Sequence, residues 1–384
     1  MKYDFDTVYN RKNTNSIKYK KHPRYPDVSD VIPMWVADMD FKTAPEITDA
    51  LQSASECGIF GYTELDDEYY DLLIKWNKKR FGFDIKRDWI VPCEGVLFGI
   101  SAAIRALSKA GDSVLIMQPV YHPFLNIIKS LKRRPVVSVL NFDGQKYYID
   151  FNDLENRIVE ENVKLLLFCS PHNPVSRVWD KEELCNVVNI CKRHNVIIVS
   201  DEIHSDLVFK NHFPAASLSK EAADITVAVT SVTKTFNLAG IKGANLIIAN
   251  TDIRNKTERE ILSTCAGEMG IMSAAAAKAA YRHGEEWLQQ LLKYLKSNAD
   301  YVIESFENTK IKPIAPEGTY LMWLDCRKLG LNSRELEEFF IRDCGVWMSS
   351  GFIFGEGGNG FMRMNIACPK SVLEKAITQI KKRL

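Results

Sequence analysis

Val196-Ile-Ile-Val199, running directly into Ser200-Asp-Glu-Ile-His204, decides how this 384-residue chain is read. Branched apolar residues in a run this short mark a strand buried on both faces, the signature of a parallel sheet. Val114–Met117, Val163–Phe168 and Ile225–Val229 repeat the texture. Amphipathic stretches separate them. Asp180–His194 carries Leu184, Val187, Val188 and Cys191 at helical spacing, with Asp180 as cap and Glu183 as its capping-box partner. A second helix is expected from about Gly95 to Lys109, with Leu97, Ile100, Ile104 and Leu107 on one side and Gly111 at its C-terminal end. Strands alternating with helices predict an α/β domain with a parallel sheet.

Beyond residue 284 the texture changes. A long amphipathic helix is expected over Glu285–Glu307, then a strand at Tyr320–Leu324, a helix near Arg334–Arg342 and a strand at Phe361–Ile366. A last helix is expected to begin at Ser371, with Glu374 as its capping partner. The chain is therefore divided into an N-terminal arm with part of a small domain (1–45), a large α/β domain (46–284) and a C-terminal small α+β domain (285–384).

Composition narrows the function. Fifty Lys and Arg against 49 Asp and Glu leave a net charge of +1. A nucleic-acid binder needs a basic excess to displace counterions, so that class is set aside. No apolar run approaches the length of a membrane span. Residues 1–30 are polar, with Asp4 and Asp6 arguing against a targeting peptide, and the nine cysteines form no C-x-x-C pair. A reduced, cytoplasmic protein is the expectation.

The residues just past each buried strand carry the chemistry. Val114–Met117 leads to Tyr121 and His122, Val163–Phe168 to Ser170-Pro-His-Asn-Pro174, Val196–Val199 to Asp201 and His204, and Ile225–Val229 to Ser231, Thr233 and Lys234. Ligands of open α/β sheets bind just outside the carboxyl ends of the strands. A lysine, an aspartate, an asparagine and an aromatic on one such edge suit a phosphorylated pyridine aldehyde. Lys234 would form the Schiff base, Asp201 would keep the ring nitrogen protonated, Asn173 would reach the ring oxygen and Tyr121 would cover the ring face. Ser231, Thr233, Lys242 and the helix-opening backbone of Gly95, Val96 and Leu97 would hold the phosphate.

The motifs Trp35-Val-Ala-Asp-Met-Asp-Phe41, Gly61-Tyr-Thr63, Pro119-Val-Tyr121, Ser170-Pro-His-Asn-Pro174, Ser200-Asp-Glu-Ile-His204, Thr233-Lys-Thr-Phe-Asn-Leu-Ala-Gly240, Glu317-Gly-Thr-Tyr320 and Arg363-Met-Asn365 carry a resemblance over essentially the whole chain. It resembles the fold-type I pyridoxal-phosphate enzymes of the class I/II aminotransferase superfamily, and within them the cystathionine β-lyase and cystalysin-like (MalY/PatB) group. The resemblance implies a mainly parallel seven-stranded sheet with helices on both faces, plus a smaller α+β domain. It implies pyridoxal 5′-phosphate as cofactor and no metal. It makes Lys234, Asp201 and Tyr121 catalytic, and places Asn173 and His204 beside the ring oxygen. Arg363 would grip the substrate carboxylate, with Ala37, Asn173 and Tyr62 also near the substrate. Tyr62 would reach a phosphate across a homodimer interface, and Lys242 would be a phosphate cation. The implied activity is α,β-elimination from a sulfur-containing amino acid, giving pyruvate, ammonia and a thiol. An aminotransferase of the same fold, or a regulatory protein built on it, is the alternative.

The chain departs from the pattern in places. Ser176 stands where a glycine is usual, Glu94 precedes the phosphate loop, Phe98 replaces a common proline and His122 a common aromatic. Two further motifs mislead. Gly355-Glu-Gly-Gly-Asn-Gly360 fits a dinucleotide fingerprint but leads into a strand, so it reads as a turn. Ser231-Val-Thr-Lys234 fits the S-x-x-K of serine β-lactamases, whose partner motifs are absent. His204, Asp206 and His212 lack metal-ligand spacing.

Overall fold

A computed structural model describes residues 2–265 and 267–384. Seven strands form the central sheet: β1 (Ile90–Cys93), β2 (Ser113–Gln118), β3 (Arg134–Val139), β4 (Val163–Cys169), β5 (Ile197–Asp201), β6 (Thr226–Thr230) and β7 (Ala244–Ile248). Their spatial order is β1-β7-β6-β5-β4-β2-β3. Only β7 runs against its neighbours β1 and β6. The strands expected from sequence are all present, with ends one or two residues away. Three more, β1, β3 and β7, complete the sheet.

Alternation along each strand sorts its side chains onto two faces. Leu115, Met117, Leu166, Phe168 and Ile198 join one apolar cluster, while Val114, Ile116, Leu165, Leu167, Val199 and Val227 join another. Helices cover both layers, so every residue of β2 is buried. The edge strand β3 instead alternates between buried and more open positions.

Helix α1 (Val96–Leu107) crosses one face of this sheet, and α2 (Lys181–Arg193) covers the other. The Asp180–Glu183 capping box at the start of α2 is formed in both directions. Gly111, however, does not end α1. That helix stops at Leu107, and Gly111 sits at φ 89° in the turn before β2. The short α3 (Val232–Thr235) carries Lys234, and the long α4 (Glu285–Ser305) opens the C-terminal part.

There a four-stranded antiparallel sheet is built from β8 (Lys312–Ile314), β9 (Leu321–Asp325), β10 (Ser349–Ser350) and β11 (Phe361–Asn365), in the order β8-β9-β11-β10. The N-terminal Ile32–Pro33 pairs in parallel with Val346–Trp347, which brings the start of the chain to its C-terminal part. The helix expected at Arg334–Arg342 is α-helical over Ser333–Glu338 and widens into a π-turn over Phe339–Asp343. The last helix spans Lys370–Lys381 behind Pro369 and has no side-chain cap, so Ser371 and Glu374 form no capping box. Pro369 holds the N-cap position and has no side-chain oxygen to accept from the first helical amides. The glycine-rich stretch is the turn before β11, with Gly355, Gly357 and Gly360 at positive φ.

Ser176 occupies the left-handed region, at φ 56°. Its hydroxyl compensates by bonding Thr319 Oγ1 at 3.0 Å and the Leu321 carbonyl of β9. Those bonds tie the motif after β4 to the C-terminal sheet. Ser176→Ala keeps the backbone strain and loses both bonds, so unfolding in urea is expected to be easier by about 1–3 kcal/mol. Ser176→Gly loses the same bonds but relieves about 1–2 kcal/mol of left-handed strain, and is expected to lie within about 1 kcal/mol of the parent.

Candidate active site

Four parallel strands deliver their chemistry to one edge, as their sequences require. Asp201 is the last residue of β5, lying opposite Val229 of β6, and Lys234 follows β6 on α3. Asn173 follows β4 and Tyr121 follows β2. A cavity opens among them. Of the residues expected at the site, Lys234, Asp201, Asn173, His204 and Tyr121 line it, together with Val96, Leu97 and Ala37. Cys169 and Ile203 complete the wall.

The charged groups here are held against their preference. Burial pushes the Asp201 carboxyl up to about 7, and the nearby Lys234 only partly counters it. Among the described residues, the hydrogen bond this carboxylate accepts comes from the Ile203 amide, at 3.1 Å. Burial, and then the positive charge of Arg363, pulls the Lys234 ammonium down to about 8. Burial drives His204 down to about 3, so its imidazole is neutral at ordinary pH, and its Nδ1 has no partner among the described residues. Burial likewise raises the Tyr121 phenol, with Asp201 adding to the shift.

Arg363 stands in the middle of β11 and is buried. It donates to Asn173 Oδ1 at 3.0 Å, to the Trp35 carbonyl at 2.8 Å and to Ser349 Oγ at 3.2 Å, while its Nε has no partner among the described residues. Burial lowers this guanidinium to about 10. It is thereby joined to the cavity through Asn173.

Other expected residues lie apart from the cavity lining. Ser231 and Thr233 bond each other at 2.8 Å, and Ser231 also donates to the Gly243 carbonyl at 2.7 Å. Lys242 is exposed and reaches Glu94 at 2.6 Å instead of facing the cavity. Tyr62 is fully exposed, in a stretch where Ile59 and Phe60 are exposed too. Gly95 precedes α1, and a Cβ there would meet open space. No side chain caps that helix, which leaves its first amides free for an anion.

Sequence reasoning missed several residues. Tyr320, just before β9, donates to the Ala37 carbonyl at 3.0 Å, beside the 2.5 Å bond from Lys234 to the same oxygen. Its motif, Glu317–Tyr320, pointed to the family without giving this residue a role. Asn365 reaches the carbonyls of Val36 and Asp38, both at 2.5 Å. Asn237 bonds Met39 and Phe41 at 3.0 and 2.8 Å. Asp206 accepts from Thr235 at 3.2 Å, next to Lys234, and also from Trp76 and Arg80. His212 turns to Glu202 at 3.3 Å, so the His204, Asp206 and His212 side chains do not converge.

A pyridoxal phosphate fits these donors on several observations. A buried carboxyl has a single backbone donor, a neutral imidazole nitrogen is left free, and an amine of lowered basicity shares the cavity. Uncapped amides border the same space at Val96 and Leu97.

Comparison with known proteins agrees. The profile described as aminotransferase class I and II matches residues 29–380. The chain is 36% identical over 383 residues to cystathionine beta-lyase PatB of Bacillus subtilis, covering 98% of this chain and 99% of that one. Cystalysin of Treponema denticola, solved with pyridoxal 5′-phosphate, superposes with a TM-score of 0.96 at 38% identity, covering 100% of this chain and 99% of that one. A pyridoxal-phosphate-bound putative aminotransferase of Clostridium difficile 630 gives 0.96 at 39% identity, covering 99% of each. With nearly its whole length matched in sequence and in fold, the chain belongs to the aminotransferase class I and II family.

Proposed function

We propose that this chain is a pyridoxal-phosphate-dependent carbon–sulfur β-lyase. It converts a sulfur-containing amino acid, such as L-cystathionine or L-cysteine, to pyruvate, ammonia and a thiol. The observation that carries the reading is the meeting of Lys234 and Asp201 in one buried cavity, with the Arg363 guanidinium attached through Asn173.

When bound, the cofactor supplies an aldehyde carbon for amines and a pyridine ring that draws electrons from the substrate Cα. Asp201 would hold a proton on the ring nitrogen. Asn173 and the neutral His204 would lie at the ring oxygen, and Tyr121 would cover the ring face. The amides of Val96 and Leu97 would hold the phosphate, and Ser231, Thr233 and Lys242 would join them on giving up their present partners. Arg363 takes the substrate α-carboxylate with a planar fork that a lysine cannot copy. Lys234 would be the base that takes the proton from the substrate Cα. The Cβ–S pair leaves on sulfur, and the Lys234 ammonium can return its proton to the departing thiolate. Water then releases ammonia and pyruvate.

The name borne by the B. subtilis relative supports the lyase reading over transamination. The exposed Ile59, Phe60 and Tyr62 support a homodimer in which Tyr62 enters the partner's site. Residues 1–45 and 285–384 are read as one small domain beside a large one at 46–284, a division supported by the pairing of Ile32–Pro33 with Val346–Trp347. Among the described residues no helix is long and apolar enough to cross a membrane, and a cytoplasmic location is part of the proposal.

Purified protein incubated with L-cystathionine is expected to release pyruvate and a free thiol, and Lys234→Ala to lose at least about 1,000-fold in kcat, because one amine is both attachment point and base. Pyridoxamine phosphate accumulating with a keto acid, and no thiol, would make the protein an aminotransferase instead.

The lowered basicity of Lys234 sets a pH dependence. An ammonium cannot attack an aldehyde, so covalent capture of pyridoxal phosphate by the apoprotein needs the neutral amine. Its rate is expected to rise about tenfold per pH unit and to level off near pH 8, where this lysine loses its proton, instead of climbing towards 10.5. Stopped-flow absorbance with borohydride trapping measures it.

Glu94 competes with a phosphate for Lys242. Glu94→Gln removes that competitor, and equilibrium dialysis is expected to show pyridoxal phosphate bound roughly three- to fivefold more tightly, in line with an exposed ion pair worth up to about 1 kcal/mol.

A further inference from the structure

The carbonyls that organise the site belong to residues 35–38, and that segment is itself held by charge. Trp35 accepts from Arg363 and Ser349, Val36 and Asp38 from Asn365, and Ala37 from Lys234 and Tyr320. Two carboxylates, Asp38 and Asp40, project from it towards the N-terminal arm. Arg11 bonds Asp38 at 2.6 Å and Asp40 at 2.9 Å. Lys18 bonds Asp40 at 2.7 Å and lies 3.6 Å from Asp38. Each cation thus bridges both carboxylates, and the four charges cancel.

Lys18 is only 1% exposed, an unusual position for a lysine. Its backbone carbonyl also accepts from the Trp35 indole at 3.1 Å, and Arg11 reaches the Met39 carbonyl at 3.1 Å. A group this deeply desolvated holds its geometry only while its counter-charges stay in place, and the reverse is equally true. Apart from a bond from Arg11 to Ser16 Oγ at 3.0 Å within the arm, the bonds of Arg11 and Lys18 go to the segment at 35–40 and not to the cavity wall, so their influence on the site passes through that segment.

We propose that Arg11 and Lys18 are positioning residues. Through Asp38 and Asp40 they fix the Trp35–Asp38 backbone, and so aim the Arg363 fork at a substrate α-carboxylate and hold the released Lys234 amine in place. The inference rests on the proposed function for the identity of the substrate group. Its test relies on amino-acid binding, which a lyase and an aminotransferase share.

Dissociation constants for L-alanine and L-alaninamide are measured on the holoenzyme from the change in the cofactor's absorbance. Both carry the amino group, and only the first carries the carboxylate. In the parent protein L-alanine is expected to bind far more tightly than the amide. Lys18→Met is expected to reduce that preference about tenfold, and Arg11→Gln, whose side chain is partly exposed and easier to replace, about threefold to tenfold. General loosening of the fold would weaken both ligands together and leave the ratio unchanged. Lys18→Met combined with Asp40→Asn removes one charge of each sign and is expected to recover part of the preference.

Unaltered ratios in folded Lys18→Met and Arg11→Gln proteins, alongside a normal parent, would overturn this inference alone. A parent protein whose cofactor absorbance responds to neither ligand would overturn the proposed function and this inference with it.

Discussion

The site depends on a mismatch between burial and charge at the ends of two adjacent strands. Asp201 is buried and Lys234 half-buried, and their mutual attraction does not make good what each loses in hydration. Each is therefore displaced towards its neutral form. Lys234 does not restore the charge of the carboxyl, and the amine is less basic than an ordinary lysine. In the proposed function a pyridinium nitrogen would be the cation that restores it, and a neutral amine is the reactive form towards an aldehyde. The parallel sheet makes this possible because β5 and β6 run side by side and end at the same edge. Arg363 contributes from the other sheet, since its charge is among the causes that lower Lys234.

That contribution explains why the C-terminal sheet and the start of the chain belong to the site. Arg363 and Asn365 leave β11 two residues apart, hence on one face of the strand. One bonds Trp35, and the other bonds Val36 and Asp38. Asn237, three residues past Lys234, bonds the carbonyls of Met39 and Phe41. The irregular segment at 35–41 is therefore a shared strip of acceptors, read by the lysine loop on one side and by the small sheet on the other. Such a strip has no regular secondary structure of its own, and side chains from distant parts of the chain take the place of a ladder.

Much of this was legible in sequence because fully buried strands announce themselves. Val114–Met117 and Leu165–Phe168 have no polar side to turn to solvent, and polar residues directly behind them have little choice but to collect at one edge. The edge strand β3 is harder to see: Arg134-Pro-Val-Val-Ser-Val139 alternates because one side is open. The Asp180–Glu183 capping box was readable since it is a purely local reciprocal bond, whereas Gly111 and Glu374 misled because a suitable residue type does not guarantee that a helix ends or begins there. Tyr320, Asn365 and Asp206 act through partners between 29 and 329 residues away, and no local pattern encodes such pairings.

The departures from the usual pattern are each answered by a particular compensation. Ser176 adopts the backbone conformation that a glycine would take more cheaply, and its hydroxyl uses that strained position to bond the C-terminal sheet, which a glycine could not do. Arg177, beside it, is buried between Glu183 and Glu317 and donates to the Tyr147 carbonyl at 2.7 Å. That buried arginine links α2, the loop before β9 and the Tyr147 backbone, and it makes the motif after β4 an anchor between the two sheets. Since Asn173 belongs to the same motif and already holds Arg363, any shift of the small sheet relative to the large one must be felt at Asn173 and at the carboxylate fork together. Substrate recognition and the seating of the small sheet are thus one mechanical problem, solved by a few buried polar contacts rather than by apolar packing alone.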